Sequence, residues 1–472
     1  MNLEMRFTDP QLERALRSIA ELVRAAGGRA LVVGGSVRDA VLGRPAGDLD
    51  IEVYRIEPAK LVELLGDEFE LNLVGEAFGV IKIKHIPIDV SIPRREAKIG
   101  RGHRGFLVDS DPEMSVREAA LRRDFTINAM AFDPLTGELI DPFRGCRDLK
   151  RGVLKHTSVR FVEDPLRVLR AMQFAARFDL TVAGETVELC SSIEPEGLAP
   201  ERVFGEWKKL VVEGVRPSRG LEFLRSSGWT VYYPELHALI GSEQDPGFHP
   251  EGDVWNHTLA AMDGFARERS GDPREDLVVG LAVLCHDFGK PGTTEVVDER
   301  IRSFGHEEAG EPPTREFLGR MTRERDLIEN VVALVAEHMK VQALYDAGAS
   351  DRAIRRLARR VGRIDRLVRV ARADRLGIAR EPRDDFPAGR WLLERAGELE
   401  VRDAAPKPIV QGRHLLEMGY SPGPLFGEIL DACYEAQLDG KFATLPEGKA
   451  HARRLLEELL GDPGSDGYDH TT

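Results

Sequence analysis

The sequence predicts an α+β chain: an N-terminal α/β head followed by an all-α neck, body and small helical tail. Two observations predict this. Short β-type runs recur in the N-terminal part, at Ala30–Val33, Leu49–Tyr54, Val80–Ile83 and Ile86–Ile92. From Ser158 onward the apolar spacing turns helical, with Leu166, Leu169, Met172 and Ala176 marking one such face. Beyond that point the one strand signal is a turn around Thr293–Ile301. No repeat recurs at a fixed period.

The chain has 472 residues, enough for about three domains of ordinary size. Breaks fall at a polar, Gly-rich bridge (Gly241–Asp253), at Arg380–Arg390 and at a Pro-rich link (Ala404–Gly412). They divide the chain into a head (1–155), a neck (156–245), a body (246–385) and a tail (386–460). Residues 461–472 are Gly/Asp/Ser-rich with nothing apolar to bury, and disorder is expected there.

At 42% hydrophobic and 31% charged the chain reads as soluble and globular. No apolar run approaches the roughly 20 residues of a membrane span. The N-terminus lacks the basic-then-apolar layout of a signal peptide. A cytoplasmic protein without a membrane partner is expected, and no protein partner is evident. The cysteines, Cys146, Cys190, Cys285 and Cys433, form no C-x-x-C pair, which fits reduced thiols rather than a disulfide framework or zinc ribbon. A net charge of −14 argues against wholesale non-specific nucleic-acid binding but allows a local basic surface.

The most informative stretch is Leu31-Val-Val-Gly-Gly-Ser-Val-Arg-Asp…Gly47-Asp-Leu-Asp-Ile-Glu-Val. A strand runs into a Gly-Gly turn, then a short helix, then a second strand. Asp48 and Asp50 stand at i and i+2 of that strand, so both carboxylates aim at one spot. Gly34 and Gly35 allow close backbone approach, and Ser36 opens a helix whose free N–H groups attract phosphate. Oxygen ligands for Mg²⁺ beside a phosphate cradle are what phosphoryl or nucleotidyl transfer requires. Asp89, in Pro87-Ile-Asp-Val-Ser-Ile, is a third carboxylate candidate from a separate strand. The plainer reading makes Asp48 a turn residue and Asp50 and Asp89 solvated strand positions.

Arg122-Arg-Asp-Phe-Thr-Ile-Asn-Ala places two arginines where they would neutralise a triphosphate, and Asp124 where it would accept from a ribose hydroxyl. Alone, such a cluster is usually a helix-end salt bridge. In Glu163-Asp-Pro-Leu-Arg-Val-Leu-Arg, Asp164 and Arg167 are three apart and share a helix face. Facing a base, the carboxylate would accept from the amino group of C or A while the guanidinium donates. U and G would leave buried polar groups unpaired. In the plainer reading, Asp164 is an N-cap and Pro165 the first helical residue.

Together with Asp141-Pro-Phe-x-Gly, these segments resemble the bacterial, class II CCA-adding tRNA nucleotidyltransferases of the DNA polymerase β superfamily, over about residues 28–215. The resemblance implies a polymerase-β-like head. It makes Asp48 and Asp50, with Asp89, the catalytic carboxylates. Gly34, Gly35, Ser36, Arg38, Arg123, Asp124 and Asn128 would bind the nucleotide. Asp164 and Arg167 would act as a protein template supported by Arg170, with Glu201-Arg202-Val-Phe packed beneath. Pro93–Val116 matches in position and length a flexible loop tied to addition of the terminal A. The implied substrates are tRNA, CTP and ATP, with Mg²⁺.

In the body, Trp255-Asn-His-Thr, Leu284-Cys-His-Asp-Phe-Gly-Lys, Phe304-Gly-His-Glu-Glu, Ala336-Glu-His-Met and Arg372-Ala-Asp-Arg occur in order. His257, His286, Asp287 and Asp374 resemble the metal ligands of an HD-type phosphohydrolase over about residues 247–385. A mixed His/carboxylate set suits Ni²⁺, Mn²⁺ or a similar ion better than Mg²⁺ alone. Lys290, His306 and His338 would hold the phosphate or a second metal. The resemblance implies phosphatase or 2′,3′-cyclic phosphodiesterase activity on RNA ends.

Arginines recur from Arg352 to Arg375 in steps of three and four, opposite a face of Ile354, Leu357, Ala358, Val361, Ile364 and Val368. Few acids lie nearby in sequence. Arg355, Arg359, Arg363 and Arg366 are therefore expected to meet an RNA backbone, the alternative being a salt-bridged helix. The tail segment Gly412–Gly427 reads as a Gly/Pro turn between helices, either gripping phosphate or simply packing.

The leading expectation is CCA addition or repair with a second, hydrolytic HD site. The alternatives are an A-adding enzyme or poly(A) polymerase and, from another class, an HD phosphohydrolase whose head merely holds RNA. A non-catalytic RNA-binding protein would show no metal-dependent turnover.

Overall fold

A computed structural model describes residues 3–73, 79–98, 106–378 and 385–460. The tail end at 461–472, the middle of the Pro93–Val116 segment and most of the first half of the Arg380–Arg390 break lie outside the described residues. The chain divides into two compact units: Met1–His237 with Arg320–Thr322, and Ala238–Gly319 with Arg323–Thr472.

In the first unit the strands are β1 (Arg29–Val33), β2 (Leu49–Tyr54), β3 (Leu71–Asn72), β4 (Val80–Ile83), β5 (Ile88–Ser91), β6 (Arg94–Lys98), β7 (Phe106–Ser110), β8 (Ala131–Phe132) and β9 (Leu139–Ile140). Seven of them form one mixed sheet in the order β3-β4-β5-β2-β1-β8-β9. The central strands are apolar runs. Leu31, Val32, Ile51, Val53 and Val90 are all fully or almost fully buried, as strands covered on both faces should be. β2 lies antiparallel to β1 and parallel to β5. That register places Asp50 directly beside Asp89, on neighbouring strands and the same pleat.

The segment expected to be a flexible loop instead begins and ends as an antiparallel pair, β6 with β7, in register from Arg94↔Ser110 to Lys98↔Phe106. The strands too short to show a period of two, β3, β8 and β9, carried no sequence signal. Behind the head, the helix Leu166–Arg177 buries Leu166, Leu169, Met172 and Ala176, as its spacing predicts. It packs on the helices Pro200–Glu213 and Pro217–Ser226. A further short parallel pair joins β10 (Val153–Leu154) to β11 (Thr181–Val182).

The second unit is helical. Its central helix, Pro273–Cys285, is buried at every residue from Asp276 onward. A helix this apolar around its whole circumference must sit inside its neighbours. It packs on Val254–Arg267, Arg325–Glu337 and Ile364–Gly377. The turn signal near Thr293 proves to be a hairpin of β12 (Thr294–Val297) and β13 (Arg300–Ser303). At the C-terminal end, the helices Gly412–Glu417, Pro424–Leu438 and Leu445–Leu460 share a small core that includes Leu415, Ile429, Cys433 and Leu456. This is the packing reading of the Gly412–Gly427 turn. All four cysteines are free and buried.

Candidate functional sites

In the head, Gly34 turns the chain out of β1 with φ +80°, and the helix Gly35–Val41 follows. A Cβ at Gly34 would lie 2.9 Å from the end of the flexible Arg123 side chain, so it is the positive φ that demands glycine there. Ser36 does not face a ligand. Its buried hydroxyl donates to the Asp48 carbonyl (2.8 Å), tying the helix to β2. Asp48 and Asp50 are both exposed.

Asp50 lines a pocket of about 190 Å³ with Glu52, Asp89, Arg94, Arg122 and Arg123. Partial burial raises the Asp50 carboxyl above its ordinary range. Arg123 opposes this, and the carboxylates Asp89, Asp48 and Glu52 reinforce it. Crowded like charges of this kind are what a divalent cation relieves. Asp89 is ion-paired to Lys82 at 2.5 Å, its register partner across β4 and β5.

Sequence reasoning missed Glu52. It is buried, accepts from Arg122 (2.5 Å), Arg123 (3.1 Å) and the Tyr54 hydroxyl (2.9 Å), and so holds both arginines at the pocket. Burial alone would raise its carboxyl, but Arg123 and Arg122 hold it below the usual range. The signal was present: Glu52 continues the i, i+2 acidic series of Asp48 and Asp50.

Three further predicted residues turn inward. Arg38 is buried, donates to the Asn128 side-chain oxygen (2.9 Å) and stacks 4.4 Å from the Phe178 ring centroid. Asn128 in turn donates to Asp124 (3.0 Å). Asp124 also accepts from the Phe125 N–H (2.8 Å) and from Arg170 (2.7 Å). Asp124 and Arg38, expected at the nucleotide, are thus tied into the protein's own hydrogen bonds. They form a buried chain, Arg38–Asn128–Asp124–Arg170, that ties head to neck.

Asp164 and Arg167 do not bond each other among the described residues. Asp164 accepts from the Leu166 N–H (3.1 Å) and from Arg202 (3.1 Å). The helix begins at Leu166 and not at Pro165, so Asp164 caps from one residue further out than expected. Arg167 donates to the carbonyls of Arg160 (2.8 Å) and Arg122 (2.7 Å). Both side chains are held by neighbours on separate segments.

The second unit gathers its histidines tightly. His286 and His338 each follow the last residue of a buried helix, and His306 opens a short one. Their Nδ1 atoms lie 2.7, 2.7 and 2.8 Å from the carbonyls of Val283, Val335 and Ser303. A carbonyl only accepts, so each Nδ1 must donate, which leaves Nε2 as the inward-facing atom. His306 and His338 bring their Nε2 atoms to 3.4 Å. His257 places Nε2 2.9 Å from Asp374 and Nδ1 2.8 Å from Glu251. A Cβ on Gly377 would come within 2.8 Å of the His257 ring, so a glycine lets the two helices close here.

Three groups of ligand atoms result among the described residues, each within 4.8 Å: His249, Glu251 and His257; His257, His286 and Asp374; and Asp287, His306 and His338. Lys290 reaches Asp287 (2.8 Å) and the Gln244 oxygen (2.7 Å). His286 Nε2 and both Asp287 oxygens are buried without a well-formed hydrogen bond. Buried polar atoms are rarely left so unless something coordinates them. The donor set therefore fits divalent metal. Burial opposes charge on His286, yet Asp287 and Asp374 push it up to about 10 in the metal-free chain. Burial and the neighbouring His286 push His338 down to about 4. Glu251, the other residue missed in the sequence, also sits 2.8 Å from His249 and is lowered to about 2, with burial working against its two histidine partners. It stands behind His257 as the carboxylate that orients a ligating imidazole.

The arginine series is largely ion-paired in the fold. Arg359 pairs with Glu435, Arg363 with Asp365 (2.6 Å) and Glu275 (3.2 Å), and Arg366 with Glu275 (2.7 Å). Arg352, Arg356, Arg360, Arg369 and Arg372 are paired as well. Most partners come from distant elements, which is why the sequence neighbourhood looked acid-poor. Of the four named arginines, only Arg355 has no ion pair among the described residues. The expected apolar face is buried throughout.

The poly A polymerase head domain matches residues 30–155, and the HD domain matches 254–376. A multifunctional CCA protein of Stenotrophomonas maltophilia is 37% identical over 416 residues, 84% of this chain and 96% of that one. One of Xanthomonas oryzae is 38% identical over 413 residues, covering 84% and 95%. The chain belongs to the multifunctional CCA protein family.

Solved structures share the fold. The Bacillus stearothermophilus CCA-adding enzyme in complex with CTP superposes with a TM-score of 0.64 at 24% identity, covering 96% of this chain and all of that one. A Thermotoga maritima CCA-adding enzyme complexed with tRNA gives 0.57 at 20% identity, covering 95% and 97%. The head pocket falls within the poly A polymerase head domain match and the histidine cluster within the HD match. No described helix is long and apolar enough to cross a membrane.

Proposed function

We propose that the head adds or repairs the 3′-terminal CCA of tRNA using CTP and ATP, without a nucleic-acid template. The observation that carries this is the pocket joining Asp50 and Asp89 to Arg122 and Arg123 beneath the Gly34 turn, in a chain related to multifunctional CCA proteins. The RNA 3′-hydroxyl attacks the α-phosphate of the bound triphosphate, the α–β phosphoanhydride bond breaks and pyrophosphate leaves. Asp48 and Asp50 would hold Mg²⁺, which supplies charge neutralisation at the triphosphate and a more acidic hydroxyl. Arg122 and Arg123, aimed by Glu52, meet the triphosphate. Asp164 accepts from the amino group of C or A and Arg167 donates to the ring, each already fixed by its neighbours. A fixed acceptor rejects U and G because a keto oxygen would face it.

With purified protein, ATP alone should add A to the tRNA lacking A, CTP alone should add C or CC to those lacking CA or CCA, and the two together should extend each to the mature end and stop. Long A tracts, or efficient use of UTP, would overturn the assignment. Extension only of the tRNA lacking A would select the A-adding alternative.

The HD site we read as a phosphohydrolase acting on phosphate-bearing RNA ends, with Ni²⁺, Mn²⁺ or a similar ion. That ion, held by His257, His286, Asp287 and Asp374, supplies an activated water. Asp287 stands between the donor groups of His286 and His306, and its two oxygens have no good hydrogen bond. Asp287→Asn should therefore lower metal affinity by more than the roughly 10–100-fold typical of supporting residues, and abolish phosphoester hydrolysis. Metal analysis after dialysis checks this; full metal content in the variant would remove Asp287 from the ligand set. The chain reads as cytoplasmic, where its tRNA substrate would be met.

A further inference from the structure

Arg122, Arg123 and Tyr54 share one buried carboxylate in the head, that of Glu52. Glu52 stands on β2 two residues past Asp50, on the same pleat as Asp48 and Asp50. Its Oε1 accepts from Nη2 of Arg122 (2.5 Å) and from Nη2 of Arg123 (3.1 Å), and its Oε2 from the Tyr54 hydroxyl (2.9 Å). A buried carboxylate of this kind gains little net stability over an apolar residue, because desolvation offsets the attraction. What it supplies is a fixed point for two long, flexible side chains. The backbone of the same segment, Leu121–Asp124, holds the neck. The Leu121 carbonyl accepts from the Ser158 hydroxyl (2.9 Å), the Arg122 carbonyl from Arg167 (2.7 Å) and the Asp124 carbonyl from the Thr157 N–H (3.0 Å). One short strap thus has its arginine side chains on the catalytic strand and its carbonyls on the segments that present Asp164 and Arg167.

We propose that Glu52 is a positioning residue that sets nucleotide selectivity: it fixes Arg122, whose carbonyl fixes Arg167, and so couples triphosphate placement to base selection. The proposal rests on the CCA-adding reading of the head. A site separates C from U only while its donors and acceptors stay where the right base needs them, since rejection comes from polar groups that the wrong base leaves unpaired. An arginine without a fixed partner moves among rotamers, and a slip of about 0.5 Å is enough to loosen such a match. Arg167 is held by two carbonyls, those of Arg160 and Arg122, and the second is only as fixed as the strap that carries it. A role through charge alone has a different signature. If Glu52 only lowered the positive charge that the triphosphate meets, its loss would change the affinity for CTP and UTP alike, because both carry the same triphosphate.

The test uses the full chain with Mg²⁺. Titration calorimetry gives Kd for CTP and for UTP, and addition to tRNA lacking CCA gives kcat/KM for each. Glu52→Gln keeps the shape and removes the charge, whereas Glu52→Asp keeps the charge and withdraws it by one methylene. Both should lower the preference for CTP over UTP about tenfold, the scale of one mis-set hydrogen bond. In an Arg167→Ala background either change should leave the remaining preference unmoved, because residues on one path do not add. The parent's preference kept in both variants overturns the proposal, as does a loss that adds in full to that of Arg167→Ala. Equal weakening of CTP and UTP also overturns it and leaves Glu52 a charge partner. If the denaturation midpoint shows that Glu52→Gln does not fold, Glu52→Asp decides. A parent chain that binds CTP over UTP but adds neither to tRNA sinks the CCA-adding reading, and Kd alone then judges the coupling. A parent that prefers neither nucleotide, in binding or in addition, removes both.

Discussion

Nucleotide addition to tRNA falls by about 10³-fold or more in Asp50→Ala, the scale of several kcal/mol of lost charge stabilisation in the transition state. Asp50 lines the pocket, next to Asp89 in register and within the field of Arg123. Its removal leaves Asp89 as the remaining aspartate lining that pocket. Hydrolysis by the HD site should persist at the parent rate, because its ligands all lie in the other unit. Primer-extension and phosphate-release assays on one preparation separate the two. Addition within tenfold of the parent would sink the metal-binding role of Asp50, and parallel loss of both activities would refute two independent sites.

Asp124→Asn should cost about 3 kcal/mol of stability at neutral pH, since it leaves the Arg170 cation without its buried partner. Burial alone would raise the Asp124 carboxyl, but Arg170, the Asn128 amide and the Phe125 N–H hold it below its ordinary range. Its folded value therefore lies below its unfolded one. The ionised form contributes fully above a pH of about 4 and loses that contribution as pH falls through the folded value. The difference in denaturant midpoint between parent and variant should be large at neutral pH and shrink in acid. A difference that does not change with pH would mean that Asp124 acts through shape alone.

The legible parts of this protein were those written in local pattern. Leu49–Tyr54 and Val80–Ile83 are strands over the residues expected, because each is a run of apolar β-formers between turns. The His-Asp pair and its distant partners came together because ordered motifs carry their own spacing. Glu251 was passed over because a lone glutamate has no motif; only burial against two histidines marks it, whereas Glu52 stood in the acidic series of β2 and was marked by its burial against two arginines. The arginine series misled for the same reason. Glu275, Glu337 and Glu435 pair with it from far along the chain.

Periodicity and motif order marked an α/β head, a helical remainder and two sets of candidate site residues, from whose resemblance two chemistries were expected, since hydrophobic pattern and short-range geometry depend on neighbours in sequence. Tertiary structure decided which charges are spent and which are free. It turned Asp124 and Arg38 inward, silenced most of the Arg352–Arg375 face and left Arg355 without an ion pair among the described residues. A charge is neutralised by whatever folding brings within a few ångströms, and that distance is not a property of the local sequence.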